Sequence, residues 1–124
     1  MANPRPKYLN LVQIRLPLPG FVSILHRVSG ALLFVLLPLL LCLFQTSLGT
    51  DGFGAVKAVL ANPLAKLVLL GLLWAFLHHL CAGIRYLALD LLYGIELAPA
   101  RASAMTVLGV SLVLTAILGA KLLW

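Results

Sequence analysis

Residues 23–43 read SILHRVSGALLFVLLPLLLCL, a polar opening followed by a long apolar run. From Ala31 to Leu43 no side chain is ionised. An arginine inside hydrocarbon costs at least ~3 kcal/mol, so Arg27 is expected to face protein, a bound cofactor or the membrane surface. The stretch therefore predicts a membrane-spanning helix with a group of polar residues near one end.

The composition of the whole chain is that of an integral membrane protein. Of its 124 residues, 63% are hydrophobic and 10% are charged, and the mean hydropathy is +1.13. A soluble domain of this size has too small a core to bury so much apolar surface. The nine Lys and Arg outnumber the three Asp and Glu, and most of the basic residues flank apolar runs. We therefore attribute the positive charge to membrane orientation and not to nucleic-acid binding.

The hydrophobic pattern predicts an all-α fold, an integral membrane three-helix bundle formed by a single anchor domain over residues 1–124. The spans are expected at about 21–48, 64–93 and 104–124, each long enough to cross a bilayer. Three spans place the two ends of the chain on opposite sides. The distribution of Lys and Arg favours a cytoplasmic amino terminus.

The segments between the spans are expected to be short. Residues 1–20 are basic and broken by prolines, and are expected to form an amino-terminal interfacial segment on the membrane surface. Residues 49–54 are rich in glycine and predict a turn-rich loop, followed by a short interfacial helix at 55–62. Residues 94–103 are expected to form the polar link between the second and third spans.

A stripe of chemically distinct residues follows one face of the second span. His79, Gly83, Tyr86 and Asp90 lie within roughly 60° of one another at helical spacing. A neutral imidazole can ligate haem iron, and a glycine one turn later leaves room for a flat macrocycle. The alternative is that His79 only forms a hydrogen bond inside the bundle. The stripe favours a cofactor ligand at His79.

Two further residues of this span leave alternatives open. His78 points about 100° away from His79 and shares a face with Arg85, so it is a second candidate for the ligand. Asp90 lies about 16 Å along the helix from His79, too far to ligate the same iron. It could form an ion pair or transfer protons.

A second polar face lies at the start of the first span. Ser23, His26, Arg27 and Gly30 recur at helical spacing on one face. The guanidinium of Arg27 is a fork of donors that suits a carboxylate such as a haem propionate. The alternative is membrane anchoring by a snorkelling arginine and an interfacial histidine. No other histidine is placed to supply an opposite axial ligand, so a six-coordinate haem would need a second subunit.

The two motifs together resemble a known family. Ser23-Ile-Leu-His26-Arg27-Val-Ser-Gly30 and His79-x-x-x-Gly83-Ile-Arg85-x-x-x-x-Asp90 are similar to those of the cytochrome b subunit of bacterial succinate dehydrogenase, respiratory complex II. The resemblance implies a bacterial inner-membrane complex of four chains. Its partners would be a flavoprotein subunit, an iron–sulfur subunit and a second small membrane anchor. The two anchors would share one haem b and bind ubiquinone.

The resemblance also implies roles for particular residues. His79 would be the axial ligand of the haem iron, and the partner anchor would supply the other histidine. His26 and Arg27 would contact the haem propionates, and Ser23 and Arg27 would bind the quinone. Tyr86 stands where many members of the family have a histidine, so the resemblance implies no role for it.

The implied activity is electron transfer from the iron–sulfur subunit to ubiquinone with proton uptake. Asp90 and Glu96 would lie on the proton route, and succinate oxidation itself would belong to another chain. Three other functions remain open from the residues alone: the anchor of a quinol:fumarate reductase, a haem-free structural anchor, and a small transporter or channel subunit. The lack of an internal repeat argues against a transporter.

Overall fold

A computed structural model describes residues 15–124 and contains four helices in this range, with no strand there. They are α1 (Leu18–Ser47), α2 (Thr50–Ala61), α3 (Pro63–Asp90) and α4 (Leu97–Leu123). Helices α1, α3 and α4 are each long and apolar enough to cross a membrane. The all-α prediction with three spans is therefore confirmed. Most of the predicted amino-terminal interfacial segment lies outside the described residues.

Helix α3 packs against both other long helices, which also contact each other, and it is antiparallel to α1. Gly30 of α1 lies against His79, while His26, one turn earlier in α1, lies beside Gly83. Later residues of α1 therefore contact earlier residues of α3, as in an antiparallel pair of helices. As a result, the start of α1 and the end of α3 lie at the same end of the bundle.

Helix α4 also packs antiparallel to α3. Arg85 near the end of α3 binds Ser103 near the start of α4, whereas Gly119 near the end of α4 packs on Leu70. The buried side of α4 is a row of small or β-branched residues: Ala104, Val107, Ser111, Thr115 and Gly119. Small residues let two membrane helices approach closely, which is the main source of their packing energy in lipid.

The outer surface of the bundle is strongly apolar. Helix α1 buries only Val22 and Ser29, and Phe34 and Val35 are 78% and 70% exposed. Such exposure would be costly in water but suits hydrocarbon or a neighbouring membrane helix.

The prediction of a loop at 49–54 was wrong. Helix α2 begins at Thr50, with Asp51 in its first turn, where a negative charge favours the helix dipole. Gly52 is required there because a Cβ at this position would collide with the backbone carbonyl of Thr46. The short helix predicted at 55–62 is confirmed as a helix and is about one turn longer. It ends where the Asn62 side chain accepts a hydrogen bond from the Leu64 amide at 2.8 Å.

The link predicted at 94–103 was also wrong in extent. Helix α4 begins at Leu97, so the connection covers only residues 91–96. Pro99 does not delay the helix because it lies in the first turn, where the backbone N–H groups have no intrahelical partner. For the same reason α1 begins at Leu18, directly after Pro17 and with Pro19 in its first turn, three residues before the predicted start.

A left-handed residue ends α3. Leu92 has φ 64°, and its amide donates to the carbonyl of Leu89, while the amide of Tyr93 donates to the carbonyl of Ala88. This pair of hydrogen bonds is a Schellman motif, in which the left-handed position is usually glycine. Glycine does follow two residues later, at Gly94 with φ 71°. The turn brings the start of α4 back along α3.

Candidate functional site

Two histidines from different spans form the centre of the candidate site. The rings of His26 on α1 and His79 on α3 are stacked, with centroids 4.2 Å apart and planes 8° from parallel. His79 Nδ1 lies 3.0 Å from the backbone carbonyl oxygen of His26. A carbonyl oxygen only accepts, so this hydrogen bond assigns the proton of a neutral His79 to Nδ1. The lone pair is then on Nε2, the arrangement that metal-ligating histidines usually have.

Ser29 supports the same hydrogen bond. Its hydroxyl donates to the carbonyl of His26 at 3.0 Å, and its Oγ lies 3.2 Å from His79 Nδ1. The residue is buried, at 6% exposure. Sequence reasoning named its neighbours and missed Ser29. The available signal was its position three residues after His26, because helical serines commonly bond to the carbonyl one turn earlier.

Two glycines border the histidine pair and have different roles. A Cβ at Gly30 would lie 2.6 Å from His79 Cε1, so only glycine permits the observed ring position. A Cβ at Gly83 would lie 3.7 Å from His26 Nε2, an ordinary contact. Gly30 is therefore needed by the packing of this chain itself. Gly83 is not, and its lack of a side chain keeps the adjoining groove open.

His79 lies between two surface grooves. One has a volume of about 460 Å³ and includes both stacked histidines; its lining is His26, His79, Leu80, Gly83, Ile84, Tyr86 and Leu87. The other, of about 500 Å³, is lined by Gly30, Leu33, Phe34, Leu37, Leu40, Phe76, His79 and Leu80. An imidazole bordered by apolar grooves on the outside of a bundle can reach a flat apolar ligand that a second chain also contacts.

Tyr86 lines the first groove with its ring. Its ring centroid is 5.1 Å from that of His26, and its buried hydroxyl has no hydrogen-bond partner in residues 15–124. A hydroxyl without accessible surface cannot contact a ligand in the groove, so it is not part of the ligand-facing lining. The imidazole and the apolar lining fit a haem with its iron at His79.

His78 occupies a different position. Its side chain is fully buried inside the bundle, and its ring lies 5.4 Å from that of Trp74. Both of its ring nitrogens lack hydrogen-bond partners within the described residues. A ligand outside the bundle cannot reach His78 without rearrangement of the helices, so the geometry favours His79 of the two candidates.

The remaining predicted residues lie at the same end of the bundle. Ser23 is half-buried and Arg27 is exposed, one turn apart on α1. Asp90 is the exposed last residue of α3, and exposed Glu96 precedes α4 as its N-cap, without a side-chain capping hydrogen bond. All four are accessible to solvent or to a partner chain.

Comparison with known proteins identifies the family. The family described as succinate dehydrogenase/fumarate reductase transmembrane subunit matches residues 1–118. This chain belongs to that family. The transmembrane subunit is 36% identical over 117 residues to the succinate dehydrogenase cytochrome b556 subunit of Coxiella burnetii, covering 93% of this chain and 94% of the relative.

Two further relatives carry the same description. The cytochrome b556 subunit of Paracoccus denitrificans is 34% identical over 111 residues, which cover 89% of this chain and 85% of the relative. The cytochrome b556 subunit of Rickettsia felis is 31% identical over 123 residues, which cover 98% of this chain and 92% of the relative. The matches run almost end to end, and the three helices long and apolar enough to cross a membrane make the transmembrane subunit a multi-pass membrane protein.

Proposed function

We propose that this transmembrane subunit is the cytochrome b anchor of a succinate:quinone oxidoreductase. It binds haem b together with a second anchor, binds ubiquinone, and passes electrons from an iron–sulfur subunit to the quinone. Succinate oxidation takes place on a flavoprotein subunit, so this chain contributes no catalytic residue to that step. The relatives' description as cytochrome b556 subunits of succinate dehydrogenase supports this role.

The hydrogen bond from His79 Nδ1 to the carbonyl of His26 is the single observation that carries the proposal. It leaves Nε2 as the ligating nitrogen and holds the imidazole plane, which is also stacked on His26. His26 and Arg27 would hold the propionates. Haem b, when bound, supplies a one-electron carrier whose potential depends on its axial ligands and their hydrogen bonds.

Ser23 and Arg27 would bind the quinone. The hydroxyl of Ser23 would donate a hydrogen bond to a quinone oxygen, and the guanidinium of Arg27 would stabilise negative charge as it develops there. Both side chains lie on one face of α1 and are accessible. Arg27 would thus contact both ligands.

Asp90 and Glu96 would lie on the route by which the two protons that quinone reduction requires reach the quinone. Both are exposed at the end of the bundle where α3 ends and α4 begins. The excess of basic residues favours the cytoplasmic side for this end and for the amino terminus, in a bacterial inner membrane. Exposed carboxylates there would exchange protons with water and relay them toward the quinone.

A second anchor would cover part of α1. Helix α1 buries only two of its residues within the chain, and His79 borders grooves that open outward. A partner helix against this side would provide the other axial histidine. The second candidate function is the anchor of a quinol:fumarate reductase, since the family description names both enzymes; the direction of electron flow depends on potentials in other chains.

The haem assignment is tested with two histidine variants of the complex purified from membranes. We expect His79→Ala to abolish or strongly alter the dithionite-reduced-minus-oxidised b-type spectrum. His78→Phe keeps an aromatic ring in the buried position and is expected to retain the spectrum. A normal spectrum in His79→Ala together with its loss in His78→Phe would reverse the assignment. A wild-type complex without a b-type band would overturn the haem assignment.

The quinone assignment is tested by measuring two activities on the same membranes. Ser23→Ala removes a hydrogen bond worth about 0.5–1.5 kcal/mol, and Arg27→Leu removes a charge-assisted one of about 1.5–3 kcal/mol. Both variants should lower succinate–quinone activity and spare succinate oxidation by a soluble acceptor. A parallel fall of both activities would indicate a role in assembly, and no fall in either would exclude these residues from the quinone site.

A further inference from the structure

Arg85 is a buried cation without an acidic hydrogen-bond partner. It is 7% exposed, and its guanidinium donates from Nε to Ser103 Oγ at 2.9 Å and from Nη2 to the carbonyl of Ala100 at 3.2 Å. Both acceptors are neutral. Buried charges in proteins are normally paired with an opposite charge, because removing an unpaired ion from water is costly. An anion from outside the chain is therefore expected at Arg85.

The chain has few acidic side chains that could act as the counter-ion of Arg85. Residues 1–14 contain none, and all three acidic side chains of the sequence are exposed: Asp51, Asp90 and Glu96. Two of the five guanidinium N–H groups are used in the hydrogen bonds described above, which leaves three for a further acceptor. A phosphate, with several acceptor oxygens, suits this remaining set of donors.

Arg85 opens into a groove between α3 and α4. The groove has a volume of about 290 Å³; its lining is Cys81, Ile84, Arg85, Ala88, Leu89, Tyr93, Gly94, Ser103, Thr106 and Val107. It shares only Ile84 with the groove that contains His26 and His79. The Arg85 groove is therefore separate from the haem and quinone site and combines one cation with an apolar wall.

The apolar wall continues along α4. A second groove of about 340 Å³ begins at Thr106, which it shares with the first, and is lined further by Gly109, Val110, Val113 and Leu114. A Cβ at Gly109 would meet nothing within 4 Å, so the surface is open there. From Thr106 to Val113 the groove covers about 10 Å of helix, running from the end of the span toward its middle.

We propose that these two grooves together bind a phospholipid. Its phosphate pairs with Arg85 near the membrane surface, and one acyl chain follows α4 past Gly109 toward the bilayer centre. Arg85 lies just over a turn before the end of α3, so a phosphate bound there would lie near the end of the spanning helix. The continuation is formed by α4 alone and is apolar, so it suits an acyl chain and offers no group that would bind a carboxylate side chain of a partner subunit.

The test uses the purified complex in detergent with a phosphatidylglycerol that carries a photoreactive diazirine in one acyl chain. After illumination, labelled peptides are quantified by mass spectrometry. Residues 106–114 are expected to be labelled, and Arg85→Gln should reduce that labelling about tenfold or more, as expected for loss of a charge-assisted hydrogen bond. Arg101→Gln removes an exposed neighbouring charge and should leave the labelling unchanged.

A second pair of variants probes the acyl chain and keeps Arg85 intact. Gly109→Leu fills the groove and should lower labelling of 106–114, whereas Gly71→Leu fills open space elsewhere on α3 and should not. If the subunit carrying Arg85→Gln fails to accumulate, these two variants still test whether an acyl chain binds in the groove. The haem spectrum should be normal in Gly109→Leu, which separates this site from the proposed haem function.

Three results would overturn the proposal. One is labelling of 106–114 that does not change in Arg85→Gln or in Gly109→Leu. Another is loss of a partner subunit from Arg85→Gln with unchanged labelling, which would make a partner's carboxylate the counter-ion. The third is labelling that millimolar inorganic phosphate abolishes without any effect of Gly109→Leu, which would indicate a phosphate site without an acyl-chain groove.

Discussion

Replacement of Gly30 by alanine directly tests whether the His79 ring needs its observed position. The new Cβ would lie 2.6 Å from His79 Cε1 and 3.2 Å from Nδ1, whereas ordinary contacts begin at 3.4 Å. The ring must therefore move by about 0.8 Å to clear the methyl group. It cannot do so freely, because His26 stacks on it and the carbonyl of His26 binds Nδ1 at 3.0 Å. Overpacking of this kind typically costs about 1–3 kcal/mol.

A ring shift of this size would move or break the Nδ1 hydrogen bond that orients His79, the proposed haem ligand. We therefore expect Gly30→Ala to lower the haem content of the purified complex or shift the b-type band. The assay is the reduced-minus-oxidised spectrum, normalised to the amount of this subunit. The matched control is Gly83→Ala on α3, whose Cβ would meet His26 Nε2 at an ordinary 3.7 Å; its subunit should accumulate normally.

The control separates packing within the chain from packing against haem. A loss of haem in Gly83→Ala with normal accumulation would mean that the macrocycle itself approaches Gly83. Wild-type haem content and band position in Gly30→Ala would refute the reasoning, because they would show that His79 does not need the observed ring position to ligate the iron.

Three further outcomes are expected. Ser29→Ala removes the hydroxyl beside His79 Nδ1 but leaves the hydrogen bond from Nδ1 to the His26 carbonyl. A potentiometric titration should therefore find a shifted haem potential with the b-type band retained, and an unchanged potential would mean that Ser29 only contributes to packing. Leu92→Gly relieves a left-handed backbone that costs roughly 1–2 kcal/mol for a non-glycine residue, so the thermal midpoint in detergent should rise; a lower midpoint would contradict this. A reporter active only in the periplasm, fused after Trp124, should be active, and activity of a cytoplasm-only reporter at that position would reverse the orientation.

The predicted spans differ from the helices mainly at the ends. Apolar runs of this length can only be spanning helices or unusually large cores, so existence and type followed directly from composition. The ends depended on local backbone chemistry that composition does not reveal. Pro99 lies in the first turn of α4, where proline is tolerated. Position 52 in α2 needs glycine because the nearby Thr46 leaves no room for a side chain.

The candidate site was likewise predictable in part from the sequence, and in part depends on helix packing. The sequence was enough to select His26 and His79, since polar residues inside apolar spans are costly and need a reason to be there. It could not show that the two rings stack, or that the backbone carbonyl of His26 is the acceptor for His79. Residues 53 positions apart meet only when two helices pack at a particular distance and rotation, and a main-chain acceptor has no residue type to recognise.

The number of spanning helices, the histidine and arginine clusters and the family can all be read from residue types along the chain, because burying an unpaired polar group in hydrocarbon is costly. Helix rotation and proximity decided the rest: His79 and not the adjacent His78 borders the outer grooves, Ser29 joins the site, and Arg85 turns toward α4. A 100° rotation separates neighbouring residues on a helix. Which of them faces a partner depends on how the helices pack against each other, and so only on the tertiary structure.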